Sequence, residues 1–220
     1  MVTSLVGRSA TGGSFQLASE GIEDNRFASD WLESRGFKNP IIIGHSNGGM
    51  LAAQHCADNY GNPRAVVLMS AHGGGRDMAQ RSNAAGLFAC DRQAELTAQA
   101  EAMVAEGRGR ELMLLPGWWW VISAESFLDR SRKTPDTVEN ASKICCPSLY
   151  IRGDKEVPAA YPAEACAARA AALVRCVSYP TATTGTRGWK TRSPYRSPTG
   201  WKSTADSANR SRFAFSRIVR

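Results

Sequence analysis

Pro40-Ile41-Ile42-Ile43-Gly44-His45-Ser46-Asn47-Gly48-Gly49 is the stretch on which the reading of this chain turns. Ile41 to Ile43 is short, β-branched and unbroken, the pattern of a buried strand. It runs into a serine with glycine two residues away on either side, where a close backbone approach leaves no room for a side chain. The segment that follows has helical spacing. A serine at such a strand-to-helix corner is held in a strained turn. Its hydroxyl is exposed and a helix N-terminus lies beneath it, the geometry an acyl-transfer nucleophile requires.

The flanking sequence keeps this rhythm. Glu20 to Arg35 is predicted helical: Phe27/Trp31 and Ala28/Leu32 pair at i, i+4, and Gly36 stands where a left-handed C-terminal cap belongs. Asn47 to Asn59 is the next helix, ended by Gly61-Asn62-Pro63, and Ala65 to Ser70 is a second apolar strand. From Gly73 to Ala141 the alternation stops. Helical stretches at Arg92 to Glu106 and Ser123 to Arg130 flank Pro116-Gly117-Trp118-Trp119-Trp120-Val121-Ile122, and no strand is expected. Pro147 to Arg152 restores a strand that ends in Gly153-Asp154. An alanine-rich helix (Pro162 to Leu173) and a last strand (Val174 to Tyr179) follow. The expected fold class is α/β, a mostly parallel sheet with helices on both faces. Its core is residues 1–72 and 142–180, and residues 73–141 form a helical cap insertion.

Bulk properties narrow the function. A chain of 220 residues, 43% hydrophobic, is long enough for one domain with a core. It holds no apolar run of about 18 residues, so no membrane span is expected. Met1 to Ser14 has no hydrophobic signal region, so no signal peptide is expected. The six cysteines show neither CxxC nor Cys/His metal spacing and are read as buried thiols of a cytoplasmic protein. The net charge of +7 is not spread over the chain: residues 181–220 carry nine Lys/Arg and one acid, leaving the body at −1. That distribution argues against nucleic acid as the partner of the body. The tail itself has 13 Ser/Thr and few aliphatics and is expected to be disordered.

Over roughly residues 15 to 180 the chain resembles the α/β-hydrolase superfamily. The matching residues are the elbow Gly44-x-Ser46-x-Gly48, the strand Ala65 to Ser70, and the strand-end acid in Leu149-Tyr150-Ile151-Arg152-Gly153-Asp154. The resemblance implies Ser46 as nucleophile, the backbone N–H of Asn47 as an oxyanion donor, and Asp154 as the acid that orients a histidine. Glu156 competes with Asp154 for that role. It implies hydrolysis of an ester or similar acyl bond in a small-molecule substrate, with no metal or organic cofactor. Trp118, Trp119 and Trp120 would shape an apolar substrate pocket.

The chain also departs from that pattern. A serine triad needs a base, and the histidines here are His45, His55 and His72, all before Asp154. His72-Gly73-Gly74-Gly75 spells a lipase oxyanion motif, but after the nucleophile rather than before it. Only 19 residues precede the first predicted helix, so the first strands of the sheet are expected to be missing. The codons of Pro180 to Thr191, read from each third base, permit Asp-Gly-Asp-His-Trp-Tyr, a variable residue, then Gly-Leu-Glu. This is similar to the histidine segment of many α/β-hydrolases, and a frameshift across the tail would account for it. The alternative to an enzyme is a catalytically inactive hydrolase-like remnant or binding protein.

Overall fold

A computed structural model describes residues 13–76, 78, 80–81, 92–115 and 120–179, with only the backbone of Trp120. The expectations for Trp118, Trp119 and the tail at 181–220 lie outside these residues, as does the side chain of Trp120.

A 3-10 turn at Gly13–Phe15 leads into α1 (Ala18–Ser34). The start of α1 is held from two sides. Glu20 Oε2 accepts the Leu17 N–H at 3.0 Å, and Asp129 Oδ2, more than a hundred residues away, accepts the Ala18 N–H at 2.7 Å. A carboxylate there also opposes the positive end of the helix. The helix stops as predicted: Gly36 takes φ 85°, and the Gly36 and Phe37 N–H groups return to Glu33 and Leu32.

The chain then forms β1 (Ile41–His45), α2 (Asn47–Ala57) and β2 (Ala65–Met69). After the insertion come β5 (Ser148–Gly153), α6 (Ala163–Arg169) and β6 (Val174–Tyr179). The four strands lie in the order β1-β2-β5-β6, all parallel, with Gly44 level with Leu68, and Leu68 with Tyr150. Ile42, Val66, Leu68 and Tyr150 share one face, and all are buried against Ala52, Ala53 and Cys56 of α2 and Cys166 of α6. Each such aliphatic side chain contributes about 1.5–3 kcal/mol. On the other face Ile43 and Met69 remain 41% and 40% exposed.

The insertion departs from its purely helical expectation. It contains α3 (Gln93–Ala105), β3 (Leu112–Leu115), β4 (Trp120–Ser123), α4 (Ala124–Arg132) and α5 (Thr137–Ala141). β3 and β4 pair antiparallel, Met113 opposite Ile122. Met113, Leu115 and Ile122 point inward, while Leu112, Leu114 and Val121 stay exposed. The inward residues join Leu96, Ala100, Met103, Phe127 and Leu128 in a second core. The strands escaped the sequence reading because a two-residue alternation within four apolar residues is hard to see beside a tryptophan run. α4 and α5 start on their own caps, Ser123 Oγ on the Ser126 N–H and Asp136 Oδ1 on the Glu139 N–H.

Candidate active site

β1, β2 and β5 end on one edge of the sheet, and the candidate residues follow those ends. Ser46 takes φ 52° and ψ −122°, a conformation that costs a non-glycine residue about 1–3 kcal/mol. Its backbone is fixed on both sides. Its N–H donates to Met69 O at 3.1 Å, and its carbonyl accepts the Gly49 and His72 N–H groups, each at 3.0 Å. The tight positions are Gly44 and Gly49. A Cβ at Gly44 would lie 2.6 Å from the Ala52 Cβ, and one at Gly49 would lie 2.4 Å from the Ala71 Cβ. Small residues thus bring α2 down onto the sheet directly below the serine. Asn47 is the first residue of α2, so its N–H is among those a helix leaves without an internal acceptor. The Asn47 Oδ1 is buried with no hydrogen-bond partner.

The two acids after β5 occupy different environments. Asp154 is exposed and its backbone N–H donates to Tyr179 O at 3.0 Å. Glu156 is buried. Its Oε2 accepts the Ser70 hydroxyl and the Gly153 N–H, both at 2.8 Å. Ser70 ends β2 at φ 44°, so this carboxylate bridges the ends of β2 and β5. Arg152, also buried, donates to the Gly153 and Glu156 carbonyls and pairs with Glu164. Ser70 was not among the sequence candidates. Its one signal is a polar residue closing an apolar strand.

The histidines separate in the same way. His45 is exposed. His55 is buried and its Nε2 meets the Ser29 hydroxyl at 3.0 Å, tying α1 to α2; burial pushes its pKa down. His72 is buried against the ring of Tyr161, with centroids 5.1 Å apart, and its Nδ1 has no partner. Burial first, then Arg130 and Arg81, push His72 down to about 4, so it is neutral near pH 7. Its carbonyl accepts the Thr137 hydroxyl, so the residue is built into the base of the insertion. Among the described residues no group of three or more His, Cys, Asp or Glu could hold a metal ion. No described helix is long and apolar enough to cross a membrane.

Solved structures show what this architecture is. A thermostable carboxyl esterase from Bacillus coagulans superposes with a TM-score of 0.50 at 14% identity, over 78% of this chain and 67% of that one. The chain has the α/β-hydrolase fold. Similar at lower scores are a monoacylglycerol lipase from Paleococcus ferrophilus (TM-score 0.46, 14% identity, 73% of this chain) and Est1E from Butyrivibrio proteoclasticus (0.48, 15%, 76%). The chain spans 65% and 62% of the lengths of those two proteins. No protein-family model matches the sequence, and no curated protein matches it significantly. In this fold, β1, Ser46 and α2 form a strand-turn-helix unit at the edge of the parallel sheet.

Proposed function

We propose that Ser46 is the nucleophile of an acyl hydrolase acting on an ester or similar bond. The observation that carries this reading is the strained conformation of Ser46 at the β1–α2 corner, held by Met69, Gly49 and His72. Strain at an over-determined turn is retained where a side chain must be aimed. In this reading Ser46 Oγ attacks the acyl carbonyl, and the Asn47 N–H stabilises the oxyanion, a contribution of about 3 kcal/mol per donor. Collapse of that adduct breaks the ester C–O bond and the alcohol leaves with a proton; water then attacks the acyl-serine, the free acid departs and Ser46 Oγ regains its proton. Of the two acids, Glu156 suits the orienting role better than Asp154, because its carboxylate is buried and doubly held at the same sheet edge. That a fold neighbour is a carboxyl esterase supports an ester as substrate class.

The proton from Ser46 needs an acceptor, and this favours a second reading. His55 is occupied by Ser29, His45 is exposed, and a histidine held near pH 4 takes up a proton less readily than an ordinary one. An inactive hydrolase-like protein that binds its ligand without turnover fits those placements. One experiment separates the two. Wild type and Ser46→Ala are compared on a short-chain nitrophenyl ester and with a fluorophosphonate probe. The enzyme reading expects a probe adduct on Ser46 and a rate that falls to background in the variant. Equal rates and no adduct would leave the inactive reading.

A further inference from the structure

The faces of α1 are the reverse of what its composition suggests. Its buried stripe is small and polar: Ala18, Gly21, Asn25 and Ser29. Ser29 meets His55 of α2 there, and on one flank Arg26 pairs with Asp58 while the Tyr60 hydroxyl donates to Asp30. Ala28 and Leu32 are half-buried. The two large aromatic side chains of the helix point the other way. Phe27 is 73% exposed and Trp31, one turn on, is 51% exposed. At about 3.6 residues per turn they stand on the side opposite Asn25 and Ser29, as neighbours of one another. A surface helix normally turns its apolar stripe inward, and an outward aromatic pair marks a surface that something else covers.

The charges along that side choose the partner. Before Phe27 the same side carries Glu20, Glu23 and Asp24. Beyond Trp31 it carries Arg35, whose guanidinium lies 5.3 Å from the centre of the Trp31 ring. The face is therefore acidic at one end, aromatic in the middle and basic at the other, which is a self-complementary order.

We propose that this face is a dimer interface, occupied by α1 of a second copy of the chain lying antiparallel across a two-fold axis. Phe27 of each copy then packs on Trp31 of the other. Glu23 and Asp24 of each copy meet Arg35 of the other, and the axis makes that contact twice. A parallel pairing would set acids against acids, whereas the antiparallel one also opposes the two helix dipoles. A carboxylate accepts several hydrogen bonds, so contacts within its own chain leave it able to meet Arg35 as well. A Phe or Trp hides about 150–250 Å² when fully buried, so at these exposures a pair of copies removes on the order of 500 Å² of aromatic surface. That is well below the ~1,600 Å² of a standard interface, so the dimer is weak and reversible. It uses neither Ser46 nor the sheet edge, and it stands or falls separately from the ester reading.

The test is sedimentation velocity of the full chain from micromolar to several hundred micromolar. Dithiothreitol keeps Cys145, which is exposed rather than buried, from cross-linking copies. The expected result is a monomer that shifts towards dimer as concentration rises. Phe27→Ser/Trp31→Ser stays monomeric throughout and melts no lower than wild type. Charge reversal tests the register without touching the aromatic pair. Glu23→Lys/Asp24→Lys alone, and Arg35→Glu alone, each weaken the dimer by about tenfold or more, because each sets like charges together twice. Mixing these two variants restores it, since in the mixed pair both contacts again join opposite charges. A chain that is monomeric at every concentration would hand the stripe to another occupant and overturn the proposal. So would a dimer that survives Phe27→Ser/Trp31→Ser, or charge variants that mixing does not rescue.

Discussion

Alanine substitutions at the two tight glycines test how the corner at Ser46 is held. A Cβ on Gly49 would stand 2.4 Å from the Ala71 Cβ and 2.8 Å from its Cα. A Cβ on Gly44 would stand 2.6 Å from the Ala52 Cβ, 2.7 Å from the Gly48 carbonyl oxygen and 2.8 Å from the Gly49 Cα. Carbon atoms at contact prefer about 3.5–4.0 Å, so α2 must lift away from the sheet in both variants. An extra methyl in a packed interior costs about 1–3 kcal/mol. Both sites belong at the top of that range, because the obstructing atoms are backbone or attached directly to it. A loss of about 3 kcal/mol lowers the melting temperature of a domain this size by roughly 6–12 °C. The two sites differ in what relieves them. Ala71→Gly removes the nearer of the two atoms facing Gly49, so Gly49→Ala/Ala71→Gly recovers on the order of 1 kcal/mol relative to additivity. Ala52→Gly leaves the Gly48 oxygen and Gly49 Cα in place, so Gly44→Ala/Ala52→Gly recovers almost nothing. Thermal unfolding of the four single and two double variants reads both cycles. A wild-type melting temperature for Gly49→Ala, or equal recovery in the two pairs, would refute the reasoning.

Further predictions concern pH, the acids and the tail. His72 has a folded pKa near 4 against 6.5 unfolded, so its neutral form stabilises the protein fully above about pH 6.5. That stability drains away as pH falls towards 4, roughly 3 kcal/mol in all. His72→Phe should flatten this part of the urea-midpoint profile, leaving a smaller slope from His55; an unchanged profile would contradict it. The Arg152 hydrogen bond holds the Glu164 carboxyl below its ordinary value, giving stability above the carboxylate range that is lost as pH falls through the lowered pKa. Glu164→Gln removes that acid-side loss. Arg152→Ala costs more in chemical denaturation, because the Gly153 and Glu156 carbonyls also lose a donor, about 1–3 kcal/mol per buried group. If ester turnover is found, Glu156→Gln lowers kcat by about tenfold or more while Asp154→Asn leaves it within about twofold; the reverse order returns the acid role to Asp154. Expressing the shifted frame beyond codon 180 should raise turnover above that of the present chain, and equal turnover would dispose of the frameshift idea.

Much of the fold was readable because its determinants are local. Ile41 to Ile43 and Ala65 to Met69 are unbroken apolar runs, and Gly36 marks the end of α1 by its backbone freedom alone. The sharp turn at Ser46 was legible for the same reason, since a strand-to-helix corner this tight demands glycine at short range. What escaped reading depends on distant partners. Glu156 and Asp154 look alike in Gly-Asp-Lys-Glu, and only Ser70, arriving from another strand, shows which carboxylate is buried. Asp129 holds the start of α1 across more than a hundred residues, and nothing near either end announces it. The β3–β4 pair was missed because its alternation is too short to stand out.

The insertion joins the sheet through a narrow neck. Thr137 donates its N–H to the Gly73 carbonyl and its hydroxyl to that of His72, and Gly74 pairs with Asp136 as an isolated bridge. The chain therefore leaves and re-enters the sheet at a single point, already sealed, while the His72 N–H on the inner side holds the Ser46 carbonyl. The described part of the insertion has its own core, yet it is fastened at a second place, since Asp129 accepts the Ala18 N–H at the start of α1. A designer who exchanges residues between Gly75 and Pro135 must therefore keep two seals, Thr137 on His72 and Gly73, and a carboxylate at the first turn of α1.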